Sequence, residues 1–232
     1  MLFRGTAPFL SQLIKLIIVV NIVLAFNVNA SVNVTSLETN GINSWESESF
    51  EGESTYNVVK YDGRMVLKAE SNNSASGLVL KKKIDLLKTP YINWTWLTKN
   101  KLTGLDEKSK SGDDYVARVY VVIDGGFKIW NSKCLSYVWS SNQSEGEVWN
   151  NAFIGDKVKM LAVRGKQAKV EHWYNEKRNV FQDLVEQFGD KGSDKKNLAA
   201  YQYIDVIAIM TDTDNSAGKA ESYYGDIIFT AE

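Results

Sequence analysis

The chain has 232 residues, with 27 Lys and Arg against 28 Asp and Glu, one histidine and one cysteine. Near-neutral charge without a basic stripe excludes electrostatic capture of nucleic acid. With His172 alone, multi-histidine zinc sites are excluded and any Ser-His-Asp triad must be built on that residue; with Cys134 alone there is no internal disulfide, so a packed core must hold the fold.

Arg4 and Lys15 precede an apolar run from Leu16 to Phe26 interrupted only by Asn21, and Val28-Asn29-Ala30 has the small-residue pattern of a cleavage site. The run is well short of the ~20 residues that span a bilayer. Residues 1–30 are therefore expected to be a removed secretory signal. Residues 31–232 are expected to form a single domain, periplasmic or secreted, with no stable membrane insertion. No Pro- or Gly-rich linker divides them, Pro90 being the only proline after the leader.

Ser31 to Asn43 is polar and reads as a loose lead-in, with Trp45 and Phe50 starting the ordered domain. Tyr56–Val59 and Met65–Ala69 flank Asp62-Gly63, a two-residue hairpin signal because both positions of a type I′ turn need positive φ. Leu78–Ile84 reads as a half-exposed strand. In Tyr91–Leu97, Ile92, Trp94 and Trp96 share one face, the two-residue period of a sheet with one buried side. Lys99 to Asp114 is the longest loop. Tyr115–Ile123 is apolar on both faces except at Arg118, which predicts a central strand with an inward guanidinium. Burial of that charge calls for a carboxylate partner: Asp113, Asp114 or an aspartate of the terminal loop.

Leu135, Tyr137 and Trp139 share a strand face, Trp149 and Phe153 follow in a loop, and Val158–Val163 is a further strand ending at Arg164-Gly165. From Glu176 to Phe188 the apolar positions Val180, Phe181, Leu184, Val185 and Phe188 recur at helical spacing, with Asn175 as N-cap and Gly189 as C-cap. This is the only clear helix, and its stripe should pack on the sheet with Asp183 nearer solvent. Val206–Met210 and Ile227–Phe229 read as neighbouring core strands. Between them lie Asp212, Asp214, Asn215 and Asp226, a set that either holds a hard cation such as calcium, binds a ligand, or caps its own turn. It is not an EF-hand, since Gly218 falls beyond the sixth position and Tyr223 stands where the bidentate Glu belongs.

Trp139, Trp149 and Trp173 are candidates for stacking on sugar rings, or else core filling. Arg118, Arg164, Arg178, Asp113 and Asp114 complete the candidate ligand-binding set.

The ordered signals Trp45, Ser74-Ala75-Ser76-Gly77-Leu78, Trp94-Thr95-Trp96, Asp113-Asp114-Tyr115-Val116-Ala117-Arg118-Val119, Tyr137-Val138-Trp139, Glu176-Lys177-Arg178-Asn179-Val180, Ile209-Met210-Thr211-Asp212-Thr213-Asp214-Asn215 and Tyr223-Tyr224-Gly225-Asp226-Ile227 resemble a bacterial family known as domain of unknown function 3047. The strand order and the closing aromatic-Gly-Asp-Ile strand also look like galactose-binding-type jelly rolls of carbohydrate-binding modules.

The expected fold is mainly β, a jelly-roll β-sandwich with one α-helix on the sheet. The expected function is non-catalytic binding of a carbohydrate or cell-envelope glycan. The alternatives are a polysaccharide lyase or hydrolase using carboxylates and arginines, and a structural envelope protein.

Overall fold

A computed structural model describes residues 30–39, 41–126 and 132–232. The expected leader therefore lies outside the described residues apart from Ala30. The elements are β1 (Ser31–Asn33), β2 (Glu46–Glu51), β3 (Thr55–Tyr61), β4 (Arg64–Asn72), β5 (Ala75–Asp85), β6 (Tyr91–Thr98), β7 (Ala117–Ile123), β8 (Lys133–Trp139), β9 (Val148–Asn151), β10 (Gly155–Arg164), β11 (Tyr174–Asn179), α1 (Val180–Phe188), α2 (Asp194–Tyr201), β12 (Tyr203–Asp212), β13 (Lys219–Tyr224) and β14 (Ile228–Thr230). They build a β-sandwich of two sheets. The first runs β1-β14-β6-β13-β4-β3 with β11 on the other edge of β6, and the second runs β2-β5-β12-β7-β8-β10-β9.

The core lies between the sheets because alternate residues of each strand point inward. β7 contributes Val119 and Val121, β8 contributes Leu135, Tyr137 and Trp139, and β12 contributes Ile207 and Ile209, all fully buried. They meet Trp94 and Trp96 of β6, with Trp96 edge-on to Trp139 at 5.7 Å and Trp94 beside Tyr137 at 5.5 Å. These rings thus join the sheets, each filling a volume that several aliphatic side chains would otherwise need. The β3–β4 hairpin turns at Asp62 (φ 50) and Gly63 (φ 79), the pair that its turn type requires.

Several expectations are corrected. Ser31–Asn43 is not loose: β1 pairs with β14, and Asp226 Oδ1 accepts from Thr35 Oγ1 at 2.7 Å and from the Leu37 amide at 2.9 Å. Helix α1 begins after Asn179, whose side chain caps the Gln182 amide, because residues 174–179 pair with β6. Available ladder bonds outweigh helical spacing over that stretch. Asp183 is buried rather than solvated, accepting from the Tyr137 hydroxyl at 2.9 Å and pairing with Arg178. A second helix, α2, was not expected. Trp149 lies on β9, not in a loop. Finally, β12 and β14 are not neighbours, since one belongs to each sheet.

Candidate functional site

The outer face of the second sheet carries a groove of about 940 Å³. The alternation that sends Val119, Ile207 and Ile209 into the core sends Arg118, Tyr120 and Val122 of β7, and Val206, Ala208, Met210 and Asp212 of β12, into this groove. Ala75, Gly77 and Val79 of β5, Cys134 of β8 and Val158 of β10 complete the floor. The rims carry apolar side chains left in water: Phe50 is 73% exposed, Phe153 54% and Ile154 63%. Asn151 holds the latter pair in place, its Oδ1 accepting from both the Phe153 and Ile154 amides at 3.0 Å.

At the end where β7 begins and β12 stops, the groove turns polar. Arg118, 4% exposed, contacts Asp212 through Nη2 and lies between the rings of Tyr115 (4.7 Å) and Tyr120 (5.5 Å). Asp212 Oδ1 also accepts from the Tyr115 amide at 3.3 Å. The expected carboxylate partner is present, Asp212 at the end of β12, but the arginine expected to point inward is buried on the outward face of the sheet, because Val119 and Val121 take the core side of β7. Asp113 is 6% exposed; its Oδ2 accepts from Asn151 Nδ2 at 2.9 Å. Asp113 Oδ1 and Arg118 Nε are buried without a partner.

Burial pushes the Asp113 carboxyl above the usual carboxylate range, with Arg118 pulling the other way. Burial likewise holds Asp212 up against the pull of Arg118, and Asp114, Asp113 and Asp214 add to the rise. Asp214 is raised by burial and then by Asp114. The Cys134 thiol is pushed up to about 12 by burial, so it is a groove-lining thiol rather than a thiolate nucleophile.

The metal candidates part company. Asp114, Asp212 and Asp214 place oxygens within 4.8 Å of one another. Asp114 also accepts from the Asn215 amide at 3.1 Å, Asn215 Nδ2 at 3.2 Å and the Ser216 amide at 2.7 Å, so it caps the turn as well. Asp226 is engaged with Thr35 and Leu37 and does not join them.

The expected tryptophan platform is not in the groove. Trp139 is core, and Trp149 donates to the Tyr115 hydroxyl at 3.3 Å under the β9 edge. Trp173 lies on the first sheet, with Arg64 3.7 Å over its ring and its indole donating to Asp62 at 3.1 Å. Arg164 makes two bonds to Glu176, at 2.6 and 2.8 Å, and with Arg178 lines a separate cleft of about 290 Å³. Among the groove residues that sequence reasoning missed, Tyr120 and Ala208 had one available signal, that β7 apart from Arg118 and the Val206–Met210 stretch of β12 are apolar on both faces; Phe50, Ala75 and Val79 lie on β2 and β5, outside those strands.

The model of the family described as "Protein of unknown function (DUF3047)" matches residues 43–228. No curated protein matches. Among solved structures, similar chains include the xyloglucanase domain of NopAA, a type three effector from Sinorhizobium fredii, in complex with cellobiose. Its TM-score is 0.46 at 10% identity, covering 80% of this chain and 92% of that one. Others are a thermostable cellulase derived from Cel12A of Rhodothermus marinus (TM-score 0.39, 9% identity, 87% and 99% covered) and endoglucanase 3 of Trichoderma harzianum from family GH12 (0.35, 9%, 81% and 97%). None of these is a galactose-binding-type module, the likeness expected from strand order. Among the described residues no helix is long and apolar enough to cross a membrane.

Proposed function

The chain belongs to the DUF3047 family, and we propose that it is an exported, non-catalytic binding protein that holds a glycan in the groove of its second sheet. The observation that carries this reading is the pairing of exposed rim rings, Phe50 and Phe153, with a buried donor and acceptor, Arg118 Nε and Asp113 Oδ1, that have no protein partner. A sugar offers both complements: an apolar C–H face for the rings and hydroxyls for the polar pair. A mostly apolar concavity with a few convergent polar groups is the usual form of a ligand site.

Binding is favoured over cleavage by the state of the carboxyls. A glycosidase needs two, one on each side of the scissile bond, free to exchange protons or attack. Asp212 is committed to Arg118 and the Tyr115 amide, and Asp214 is gathered with Asp114 and Asp212, so neither stands free opposite Asp113, and Glu51 lies on the exposed rim beside Phe50. Calcium at Asp114, Asp212 and Asp214 belongs to the same proposal, supported by their proximity and by Asp214 Oδ1, which is buried without a partner.

The test is calorimetric titration of residues 31–232 with oligosaccharides of cellulose, xyloglucan and cell-envelope origin, alongside an assay for new reducing ends. Saturable binding that falls at least about tenfold in Asp113→Ala, with no new ends, is expected. No binding by any glycan would sink the reading, and accumulating ends would replace it with hydrolysis.

A further inference from the structure

Resting on the glycan reading, we infer that the groove's own ligand is a neutral sugar joined to a hydrocarbon chain, with the sugar at the Asp113–Arg118 end and the chain along the strand floor. The floor decides this. From β5 through β12, β7 and β8 to β10 it spans roughly 20 Å at ordinary strand spacing. Over that span the floor side chains are Ala75, Val79, Val206, Ala208, Val122, Val158 and the weakly polar Cys134, with Ser132, Lys133 and Lys157 confined to the end away from Arg118. Apart from the Cys134 thiol, a weak donor, none of these floor side chains can donate or accept a hydrogen bond; the backbone groups beneath are engaged in the ladders, and the Tyr120 hydroxyl is turned to the Met210 sulfur at 3.8 Å.

A pyranose ring seated on that floor would lose water from its hydroxyls with nothing in return, which opposes binding. A hydrocarbon chain loses no hydrogen bonds there and gains from each methylene taken out of water. The groove is therefore too long and too apolar for a sugar chain throughout, yet it ends in groups that a hydrocarbon cannot satisfy.

Those groups also select the head. A hydroxyl can accept from Arg118 Nε and donate to Asp113 Oδ1, both buried without partners, as is Asp214 Oδ1 in the same lining. An anionic head, a fatty-acid carboxylate or a phosphate, would meet one guanidinium already facing Asp212, with Asp113 and Asp214 beside it. Like charge in so buried a place is costly while no calcium is bound, so the head held at this end is neutral and hydroxylated; the Lys133 and Lys157 ammonium groups that also line the groove lie at its other end, where Lys133 pairs with Ile123.

The experiment compares monomeric octyl glucoside, octyl galactoside and dodecyl maltoside with methyl glucoside, methyl galactoside, maltose and 1-octanol, each titrated into residues 31–232 below its micelle concentration. At least one alkyl glycoside should bind about tenfold or more tightly than both its free sugar and octanol. Ala208→Phe, which puts a ring on the floor, should remove the chain-dependent gain while the melting curve confirms folding. If free sugars bind as tightly as their alkyl forms, the hydrocarbon inference is overturned and glycan binding stands. If octanol binds as tightly as the alkyl glycosides, the glycan reading falls. If no alkyl glycoside binds, the inference is overturned outright.

Discussion

The two faces of the second sheet are made by the same strands and differ in what their alternate residues do. Inward, Val119, Val121, Leu135, Tyr137, Trp139, Ile207 and Ile209 are large, fully buried and met by rings from the other sheet. Outward, Ala75, Gly77 and Ala208 are small, and with Val79 and Val206 they have no sheet above them among the described residues, so they leave a trough where the inward face carries the rings of Tyr137 and Trp139. Both faces are apolar; side-chain size and the presence of an opposing layer, not polarity, separate core from groove. The only charge in the middle strand, Arg118, is on the outward face and is held there by Asp212.

The largest expected effect tests that charge. Arg118→Ala leaves Asp212 buried without its cation and should cost about 3–5 kcal/mol in urea unfolding. Arg118→Met combined with Asp212→Leu should recover most of the loss, because what is costly is the uncompensated charge rather than the missing pair. A single change costing under about 1 kcal/mol, the range of an exposed pair, would show that the outward face is wet at this end.

Much of this was legible in the sequence, for local reasons. Asp62-Gly63 fixes the hairpin by its φ requirement, and an arginine in an otherwise apolar strand demands a carboxylate. The start of α1 was not legible, because Tyr174–Asn179 is decided by pairing with β6, remote in the sequence. Nor was the assignment of β12 and β14 to different sheets, since a short apolar run does not carry its partner's address. The groove was hidden for a related reason: an apolar residue on the second face of a strand reads as core, and only the course of the chain shows that no strand or helix among the described residues covers Val206 and Ala208. The tryptophans misled in the opposite direction. Trp139 was a candidate platform and is core, because the sheets need large rings between them.

The second expected effect places the two faces side by side on one strand. Ile209→Ala, on the inward face, should lose about 2–5 kcal/mol through lost burial and a cavity. Val206→Ala, half-buried in the groove, should lose under about 1 kcal/mol, as changes away from packed sites do. Equal losses would mean that the outward face is covered in the folded protein.

The third concerns the acidic end. If Asp114, Asp212 and Asp214 hold calcium, a free concentration about a hundredfold above the dissociation constant should add about 2.7 kcal/mol, read as a rise in Tm that magnesium does not match. Asp214→Asn should remove the rise. Melting curves unmoved by calcium or by a chelator would reduce the cluster to a cap for the turn after β12.

The smallest effect, and the one that best separates a groove from a core, is at Asp113. Burial raises its folded pKa above the unfolded value of ~3.9, so above the folded pKa the carboxylate is charged in both states and its charge is the more costly in the fold. That cost is complete at pH values above the folded pKa. It shrinks as pH falls through the folded pKa and is gone below the unfolded one. Asp113→Asn keeps an acceptor for Asn151 and removes the charge. The variant should therefore be more stable than the parent at neutral pH, with the gain fading toward acid, as urea midpoints across the carboxylate range would record. A gain that grows on acidification, or a loss at neutral pH, would mean that Arg118 wins over burial and holds the carboxyl low. A gain at neutral pH joined to weaker ligand binding would identify Asp113 as a charge kept at some expense to stability, which is how a binding residue differs from the side chains of the opposite face.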